Sequence, residues 1–137
     1  MHNVAIIGYG YWGPKLARNF QNSNFFNIKY IVDKSEKNLS KAKSDYPLAK
    51  FYKNFKKINK NFIDLVVIST PTKDHFKITK YFLKNTHVLV EKPISMKSKE
   101  VTILEYISKK NKKLLFVDYP FLFSGSINFI KKTIQSK

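Results

Sequence analysis

Three of the four glycines in this 137-residue chain fall within six consecutive positions, Gly8-Tyr9-Gly10-Tyr11-Trp12-Gly13. An apolar run at residues 4–7 comes directly before them, and Pro14 follows, as at the first turn of a helix, where a missing N–H costs nothing. In this context Gly8 permits a tight turn, Gly10 lets the backbone approach a pyrophosphate, and Gly13 allows the helix to pack closely on the strand. The N–H groups at the helix start would face the anion. We therefore expect a dinucleotide-binding turn; the alternative is an ordinary glycine-rich turn.

Asp33 follows Gly13 by about 20 residues, at the end of the second apolar run, which is the spacing expected of a ribose-binding carboxylate. A carboxylate at this place can accept hydrogen bonds from a ribose hydroxyl and would repel a 2′-phosphate. The pattern favours NAD as the cofactor over NADP, although Lys34 could offset the repulsion. The alternative is a solvated aspartate that only ends a strand.

Short apolar runs rich in β-branched residues recur along the chain. They occupy residues 4–7, 28–32, 65–68, 88–90 and 114–117, with a weaker candidate edge strand at residues 50–52 that a brief helical turn follows. Runs of this kind indicate strands that are buried on both faces of a sheet.

Helical spacing lies between the apolar runs. It is seen in Trp12, Leu16 and Phe20, then around residues 76–83 with Thr72 as a candidate cap, and then in Val101, Leu104 and Ile107. Strands that alternate with helices predict right-handed βαβ units. We therefore expect an α/β fold, a single Rossmann domain with a doubly wound parallel sheet.

The net charge of +17 raises the possibility of a nucleic-acid-binding protein. Of the basic residues, only Arg18 is an arginine, whereas base readout and bidentate phosphate contacts favour arginine. The lysines are also spread along the sequence, so nucleic acid is an unfavoured partner.

No apolar run reaches membrane-spanning length, no secretory leader is recognisable, and the absence of cysteine excludes disulfides and thiolate metal sites. Cytoplasm is the default location.

The glycine window belongs to a longer stretch, residues 8–20, that resembles the opening of the Gfo/Idh/MocA family of NAD(P)-dependent oxidoreductases. Within that family it is most similar to the branch found among sugar and surface-polysaccharide enzymes. The resemblance continues at Ser69-Thr70-Pro71, with His75 in the next helix, and at residues 86–93, which contain the family's Glu-Lys-Pro motif. It reaches residues 117–118 and 121–125, so it runs collinearly through the chain.

The resemblance implies roles for particular residues. The Ser-Thr-Pro turn would line the nicotinamide side of a cofactor cleft, with His75 close to the cofactor and Glu91 helping to hold it. Lys92 would lie near the reacting carbon as the catalytic residue, before a peptide bond to Pro93 that is often cis in the family. A lysine ammonium beside a sugar hydroxyl can polarise or orient it while hydride leaves. The expected cofactor-binding residues are Gly8, Tyr9, Gly10, Tyr11, Trp12, Gly13, Asp33, Ser69, Thr70, Pro71, His75, Glu91, Lys92 and Pro93, with no metal ligand.

The resemblance also implies a second α/β domain that carries most of the substrate pocket. Residues 1–120 are then the NAD(P)-binding domain, and residues 121–137 begin a connecting helix, with isoleucines at 127, 130 and 134, toward a substrate domain that this chain lacks. The implied reaction is hydride transfer between NAD(P) and a sugar or sugar-nucleotide hydroxyl or ketone, and the 137 residues alone are expected to be inactive. The alternatives are a non-catalytic cofactor-binding fragment and half of a split enzyme whose substrate domain is a separate chain. A homo-oligomer is a further expectation.

Overall fold

The computed structural model describes residues 1–135, in which strands and helices alternate as predicted. The strands are β1 (His2–Ile7), β2 (Phe26–Val32), β3 (Lys50–Tyr52), β4 (Leu65–Ile68), β5 (His87–Glu91) and β6 (Leu115–Asp118). The helices are α1 (Gly13–Gln21), α2 (Glu36–Asp45), α3 (Thr72–Phe82), α4 (Ser98–Asn111) and α5 (Gly125–Gln135). Short 3₁₀ turns at Phe55–Lys57, Lys60–Phe62 and Pro120–Phe123 complete the described chain.

All strand pairs are parallel, and the strands lie in the order β3-β2-β1-β4-β5-β6. The chain winds outward from β1 to β3, crosses over the sheet, and winds outward again from β4 to β6. The direction of winding therefore reverses between β1 and β4, and ligands of doubly wound sheets bind at the carboxyl ends of the strands at such a switch point. The predicted doubly wound Rossmann sheet is confirmed.

Each face of the sheet has its own hydrophobic core, because successive strand residues point to opposite faces. One core packs Ala17 of α1 and Ala42 of α2 against the sheet. The other core packs α3 and α4, through residues such as Phe82 and Leu104. Strand residues are buried in both, which explains why the runs read as continuously apolar and not as alternating.

Three local features differ from the sequence-based expectations. Helix α2 has no predicted counterpart, because only Leu39 and Ala42 are buried in it and its other residues carry no apolar period. Thr72 does not cap α3: Pro71 is the N-cap residue, and Thr72 is already the first helical residue, so its hydroxyl makes no cap bond. Trp12 precedes α1 as its N-cap residue and is half exposed, so the buried side of that helix begins later.

Beyond β6 the described chain makes few contacts with the rest of the molecule. Helix α5 matches the predicted amphipathic helix, whose last two predicted residues lie outside the described part, and its side chains are exposed. Large apolar side chains therefore face solvent in this region: Phe121, Leu122, Phe123, Phe129, Ile130 and Ile134. Within residues 1–135, no helix combines the length and the apolar character needed to cross a membrane.

Candidate functional site

A cleft of about 700 Å³ opens at the carboxyl ends of β1, β2 and β4. This volume lies within the range of cofactor and small-molecule sites. The cleft brings together six of the residues that the sequence predicts for the site: Gly8, Gly10, Asp33, Ser69, Thr70 and Pro71. It lies at the point where the order of the strands reverses, as expected for a doubly wound sheet.

The turn after β1 requires two of its glycines for steric reasons. Gly8 has a φ of +94°, and a Cβ atom on it would stand 2.7 Å from the backbone carbonyl of Ser69. A Cβ atom on Gly13 would collide with the carbonyl oxygen of Gly8. Gly10 differs from both, because a Cβ atom there would meet no atom within 4 Å, and Gly10 lines the cleft. The protein itself therefore does not require glycine at position 10, whereas a ligand lying against the backbone would.

The backbone N–H groups of Gly10, Tyr11 and Trp12 form no hydrogen bond with any group in the described part of the chain. They lie at the start of α1, where the helix dipole is positive and N–H groups have no acceptor inside the helix. A set of free donors beside a cleft suits an anion such as a pyrophosphate. This is the geometry that the glycine window predicts.

The aromatic side chains of the window do not line the cleft. Tyr11 is exposed, and the ammonium of Lys15 lies 3.6 Å from the centre of its ring and 4.4 Å from that of Trp12. The ammonium of Lys15 beside it lowers the pKa of Tyr11. Tyr9 points the other way and is buried, so these positions can contact a ligand in the cleft mainly through their backbone.

Asp33 joins the first two turns at the mouth of the cleft. One carboxylate oxygen accepts the N–H of Tyr9 at 2.6 Å, and the other accepts the N–H of Ser35 at 2.8 Å. Each oxygen can accept a further hydrogen bond, so the carboxylate remains suited to a ribose hydroxyl.

Tyr9 connects the glycine turn to α2. Its hydroxyl donates to Asp45 at the end of α2, at 2.7 Å, and burial together with this bond strongly raises the pKa of Tyr9. The glycine turn is therefore tied both to the end of β2 and to α2.

Lysines border the cleft in a way that the sequence does not predict. Five of them line it: Lys34, Lys53, Lys56, Lys73 and Lys77. Lys34 pairs with Asp74 at 3.5 Å and Lys53 pairs with Glu36, whereas the other three ammonium groups have no ion pair within residues 1–135. The edge strand β3 is the signal that could have located Lys53 and Lys56. Because β3 is parallel to β2, the residues that follow β3 lie at the same carboxyl end of the sheet as those that follow β2.

The turn after β4 lies against the glycine turn. The hydroxyl of Ser69 donates to the carbonyl oxygen of Gly8 at 2.9 Å, so the two turns that meet at the switch point are bonded to each other. The hydroxyl of Thr70 is shielded from solvent and has no hydrogen-bond partner in the described structure. Thr70 therefore lines the cleft through atoms other than its hydroxyl oxygen.

Glu91 ends β5, and Lys92 and Pro93 follow it; these three residues form a second group, which does not line the main cleft. Glu91 is buried and pairs in register with Asp118 across β5 and β6. Burial, and next the charge of Asp118, raise the pKa of Glu91, although the N–H of Lys92 donates to it at 3.2 Å. The Lys92 side chain is exposed, and the peptide bond between Lys92 and Pro93 is cis, as the resemblance implies.

His75 lies between these two groups of residues. It is 1% exposed, and its ring nitrogens lie 2.7 Å from the carbonyl oxygen of Thr70 and 2.8 Å from that of Pro93. The structure therefore places the His75 side chain behind the wall of the cleft and not on it. Within residues 1–135, no group of three or more histidine, aspartate or glutamate side chains is arranged to hold a metal ion.

Comparison with known proteins identifies the family. Residues 2–119 match the model of the GFO_IDH_MocA family, described as an oxidoreductase family with an NAD-binding Rossmann fold. The chain belongs to this family.

Two relatives show how much of a family member the chain represents. It is 28% identical over 116 residues to the uncharacterised oxidoreductase YdgJ of Escherichia coli K12, a match that covers 83% of this chain and 33% of YdgJ. Its fold is similar to that of yvaA from Bacillus subtilis, described as an oxidoreductase, with a TM-score of 0.88 and 26% identity over 99% of this chain and 40% of yvaA. The chain thus spans well under half the length of either relative.

A third structure has the same fold at lower identity. Biliverdin reductase from Synechocystis sp. PCC 6803, solved with biliverdin and NADP⁺, matches with a TM-score of 0.88 and 24% identity over 97% of this chain and 42% of the reductase. At this identity the match establishes the fold alone.

Proposed function

We propose that this chain is the cofactor-binding part of an oxidoreductase that transfers hydride between NAD and a sugar or sugar-nucleotide hydroxyl or ketone. The observation that carries the proposal is the row of free N–H groups at Gly10, Tyr11 and Trp12 beside a cleft at the switch point of the sheet. The residues fit a dinucleotide: the free donors suit the pyrophosphate, and the open side of Gly10 gives it room. Asp33 supplies acceptors for a ribose.

Each group has a part in this proposal. When bound, the nicotinamide ring would supply or accept the hydride. The turn of Ser69, Thr70 and Pro71 would border the nicotinamide end of the cleft. Glu91 would hold the backbone of Lys92 through its hydrogen bond, and the exposed ammonium of Lys92 would orient and polarise the substrate oxygen. NAD is favoured over NADP because the carboxylate of Asp33 would face a 2′-phosphate.

The substrate pocket is proposed to be completed by a further domain, either later in a longer chain or on a separate chain. The support is the apolar surface that residues 121–134 present to solvent, which includes Phe121, Phe123 and Phe129. Exposed apolar patches of this kind mark surfaces that another protein part covers. Positioning of the substrate by that part would supply much of the rate enhancement, since positioning alone can be worth about 7–11 kcal/mol.

Titration of the purified chain with NADH tests the proposal. Binding in the cleft should change the fluorescence of the dihydronicotinamide, and a competing titration with NADPH should give the weaker affinity. No change in fluorescence at millimolar NADH would exclude the proposed cofactor site. Tighter binding of NADPH than of NADH would leave the site standing and overturn the choice of NAD.

A further inference from the structure

A second cavity, of about 350 Å³, lies between α3 and the 3₁₀ turns that follow β3. The rings of Phe55 and Tyr81 line it together with five lysines, and we call it the lysine groove: Lys56, Lys60, Lys77, Lys80 and Lys84. Two of these lysines, Lys56 and Lys77, also line the cofactor cleft, so the two cavities are neighbours. Residues 56–60 and 77–84 are far apart in the sequence, so the fold creates this concentration of charge.

The positive charge of the lysine groove is not balanced by acidic groups. None of the described aspartate and glutamate side chains lines the groove, and residues 46–63 and 75–90, which form it, contain neither residue type. Within residues 1–135, none of the five lysines has an ion pair. The C-terminal end of α3 contributes about half a negative charge, which is small beside five ammonium groups. The groove is therefore suited to a ligand that brings negative charge of its own.

One lysine of the groove is already held in place. Lys60 is half-buried, its ammonium donates to the Oδ1 atom of Asn85 at 3.2 Å, and it lies 4.6 Å from the centre of the Tyr81 ring. The Tyr81 ring in turn packs edge-on against Phe55 and Phe82, with ring centres 5.3 and 4.9 Å apart. An ammonium has three N–H groups, so Lys60 keeps donors for a ligand. A donor that is ordered in advance loses less conformational freedom when the ligand binds.

The chemistry of the groove favours phosphate. An ammonium is a compact point charge that binds phosphate well, whereas bidentate recognition of a carboxylate favours arginine, and no arginine lines the groove. Five ammonium groups around a small cavity suit a ligand whose negative charges lie close together. An acidic peptide or a nucleic-acid strand spreads its charges along a chain, so a short polyphosphate is the better match.

We propose that the lysine groove binds a polyphosphate group, either free or as part of a nucleoside triphosphate, and that this ligand weakens binding of the cofactor. The weakening follows from Lys56 and Lys77, which line both cavities. An anion in one cavity neutralises lysines that would attract an anion in the other, and the two anions repel each other. By linkage the cofactor weakens the polyphosphate by the same factor. This coupling rests on the proposed function, whereas binding in the groove does not.

Calorimetric titration with inorganic tripolyphosphate, at constant ionic strength and without cofactor, tests the groove. The parent should bind, and the groove variant, Lys80→Gln with Lys84→Gln, should bind about tenfold more weakly. Both side chains are exposed, so the variant should fold as the parent does. The matched control is Lys41→Gln with Lys43→Gln in α2, on the opposite face of the sheet, which should change the affinity by less than about twofold. Equal weakening in both variants would show attraction by net charge alone and overturn the proposal.

Three further titrations identify the place and the ligand. Gly10→Ala should bind tripolyphosphate as the parent does; a loss there would place the anion at the glycine turn and contradict the groove. Uridine triphosphate should bind in the groove as well, and an affinity above that of tripolyphosphate would identify a nucleotide as the source of the phosphates. A short single-stranded DNA that binds more tightly than either, and is lost in the groove variant, would make nucleic acid the partner and the polyphosphate proposal wrong.

The coupling is tested by titrating the parent with NADH in saturating tripolyphosphate. The Kd for NADH should rise about fivefold. Lys80 and Lys84 do not line the cleft, so the groove variant should bind NADH as the parent does and show no rise at the same tripolyphosphate concentration. An equal rise in the variant would mean direct competition in the cleft, and no rise in the parent would mean that the cavities are independent; either result overturns the coupling. If the parent does not bind NADH at all, the proposed function is wrong, and the titration without cofactor still decides whether the groove binds polyphosphate.

Discussion

The carbonyl oxygen of Gly8 occupies the position that the Cβ atom of any other residue at Gly13 would need. The oxygen cannot easily move, because the hydroxyl of Ser69 donates to it and the N–H of Gly8 donates to Val32 at the end of β2. Helix α1 can therefore begin this close to β1 only when position 13 is glycine.

Gly13→Ala should consequently destabilise the fold by at least about 3 kcal/mol, the upper part of the range for added methyl groups in packed sites. Denaturation by urea measures the change. Gly125→Ala is the matched control, since a Cβ atom at Gly125 meets nothing within 4 Å and should change stability by less than about 0.5 kcal/mol. Equal stability of the two variants would show that the turn relaxes around the new methyl group.

Gly10→Ala should leave the stability of the fold unchanged and weaken cofactor binding. The new methyl group meets no protein atom, so the variant should unfold at the same urea concentration as the parent. It extends into the cleft beside the free N–H groups, where it should keep a pyrophosphate away and weaken NADH binding by about tenfold or more, roughly 1.4 kcal/mol. Fluorescence titration measures the affinity, again with Gly125→Ala as the control. Parent-like affinity in Gly10→Ala would mean that the pyrophosphate does not lie against this turn.

Asp33→Ala should change the preference between the two cofactors. The carboxylate bonds two backbone N–H groups of the protein, so its loss will affect binding generally, and the ratio of the NADPH and NADH affinities is the informative quantity. Loss of a charged hydrogen bond to the ribose and of repulsion toward a 2′-phosphate should shift the ratio toward NADPH by on the order of tenfold. Asp64→Asn removes the same charge at the opposite edge of the sheet, where Asp64 accepts the N–H of Asn3, and should leave the ratio unchanged. An unchanged ratio in Asp33→Ala would remove Asp33 from the ribose site.

The lysines around the cleft predict that NADH binding weakens with salt. Lys56, Lys73 and Lys77 line the cleft without an ion pair in the described part of the chain, and they should attract the two phosphates of the cofactor. An increase from about 50 mM to about 500 mM KCl shortens the Debye length severalfold and should raise the Kd for NADH several-fold. Adenosine, which carries no charge, is the control and should bind equally at both concentrations. A Kd for NADH that stays the same at both salt concentrations would show that these lysines do not attract the phosphates of the cofactor.

The strands and the glycine turn could be predicted from the sequence because their signals are local. Apolar runs such as Leu65–Ile68 indicate buried strands, and three glycines between a strand and a helix indicate a phosphate-binding turn. Helix α2 could not be predicted, since tertiary contacts of Leu39 and Ala42 stabilise a segment that has no apolar period. The local sequence pattern therefore predicts the strands of this sheet more completely than it predicts the helices that pack on it.

The contacts of the site depend on distances through space, which the sequence alone does not give. The partners of His75 are backbone carbonyls of Thr70 and Pro93, and every residue has such a carbonyl, so no residue type marks them. The partner of the Tyr9 hydroxyl, Asp45, is likewise brought close only by the packing of α2. A motif can therefore identify which residues surround a ligand, whereas the network that orients them requires the fold.

Glu91→Gln should change how stability depends on pH, because burial and the charge of Asp118 raise the pKa of this carboxyl group. The folded protein then holds the Glu91 proton more tightly than the unfolded chain does, because glutamate in an unfolded chain has a pKa of about 4.3. This proton therefore stabilises the folded state at low pH, and the stabilisation is lost as the pH rises above the pKa of the unfolded chain and through that of the folded protein. The amide of the variant cannot ionise, so the stability of the parent relative to Glu91→Gln should fall as the pH rises from about 4 to neutral. Thermal unfolding over this range measures the difference.

Glu105→Gln is the control of opposite sign. The hydrogen-bonded ion pair with Lys109 lowers the pKa of Glu105, so its contribution is present above the ordinary glutamate range and is lost as the pH falls. The parent should therefore gain stability relative to Glu105→Gln as the pH rises, by a small amount because the pair is exposed to solvent. If both variants shift in the same direction, burial beside Asp118 does not govern the ionisation of Glu91, and the carboxylate that holds the backbone of Lys92 ionises as readily as one on the surface.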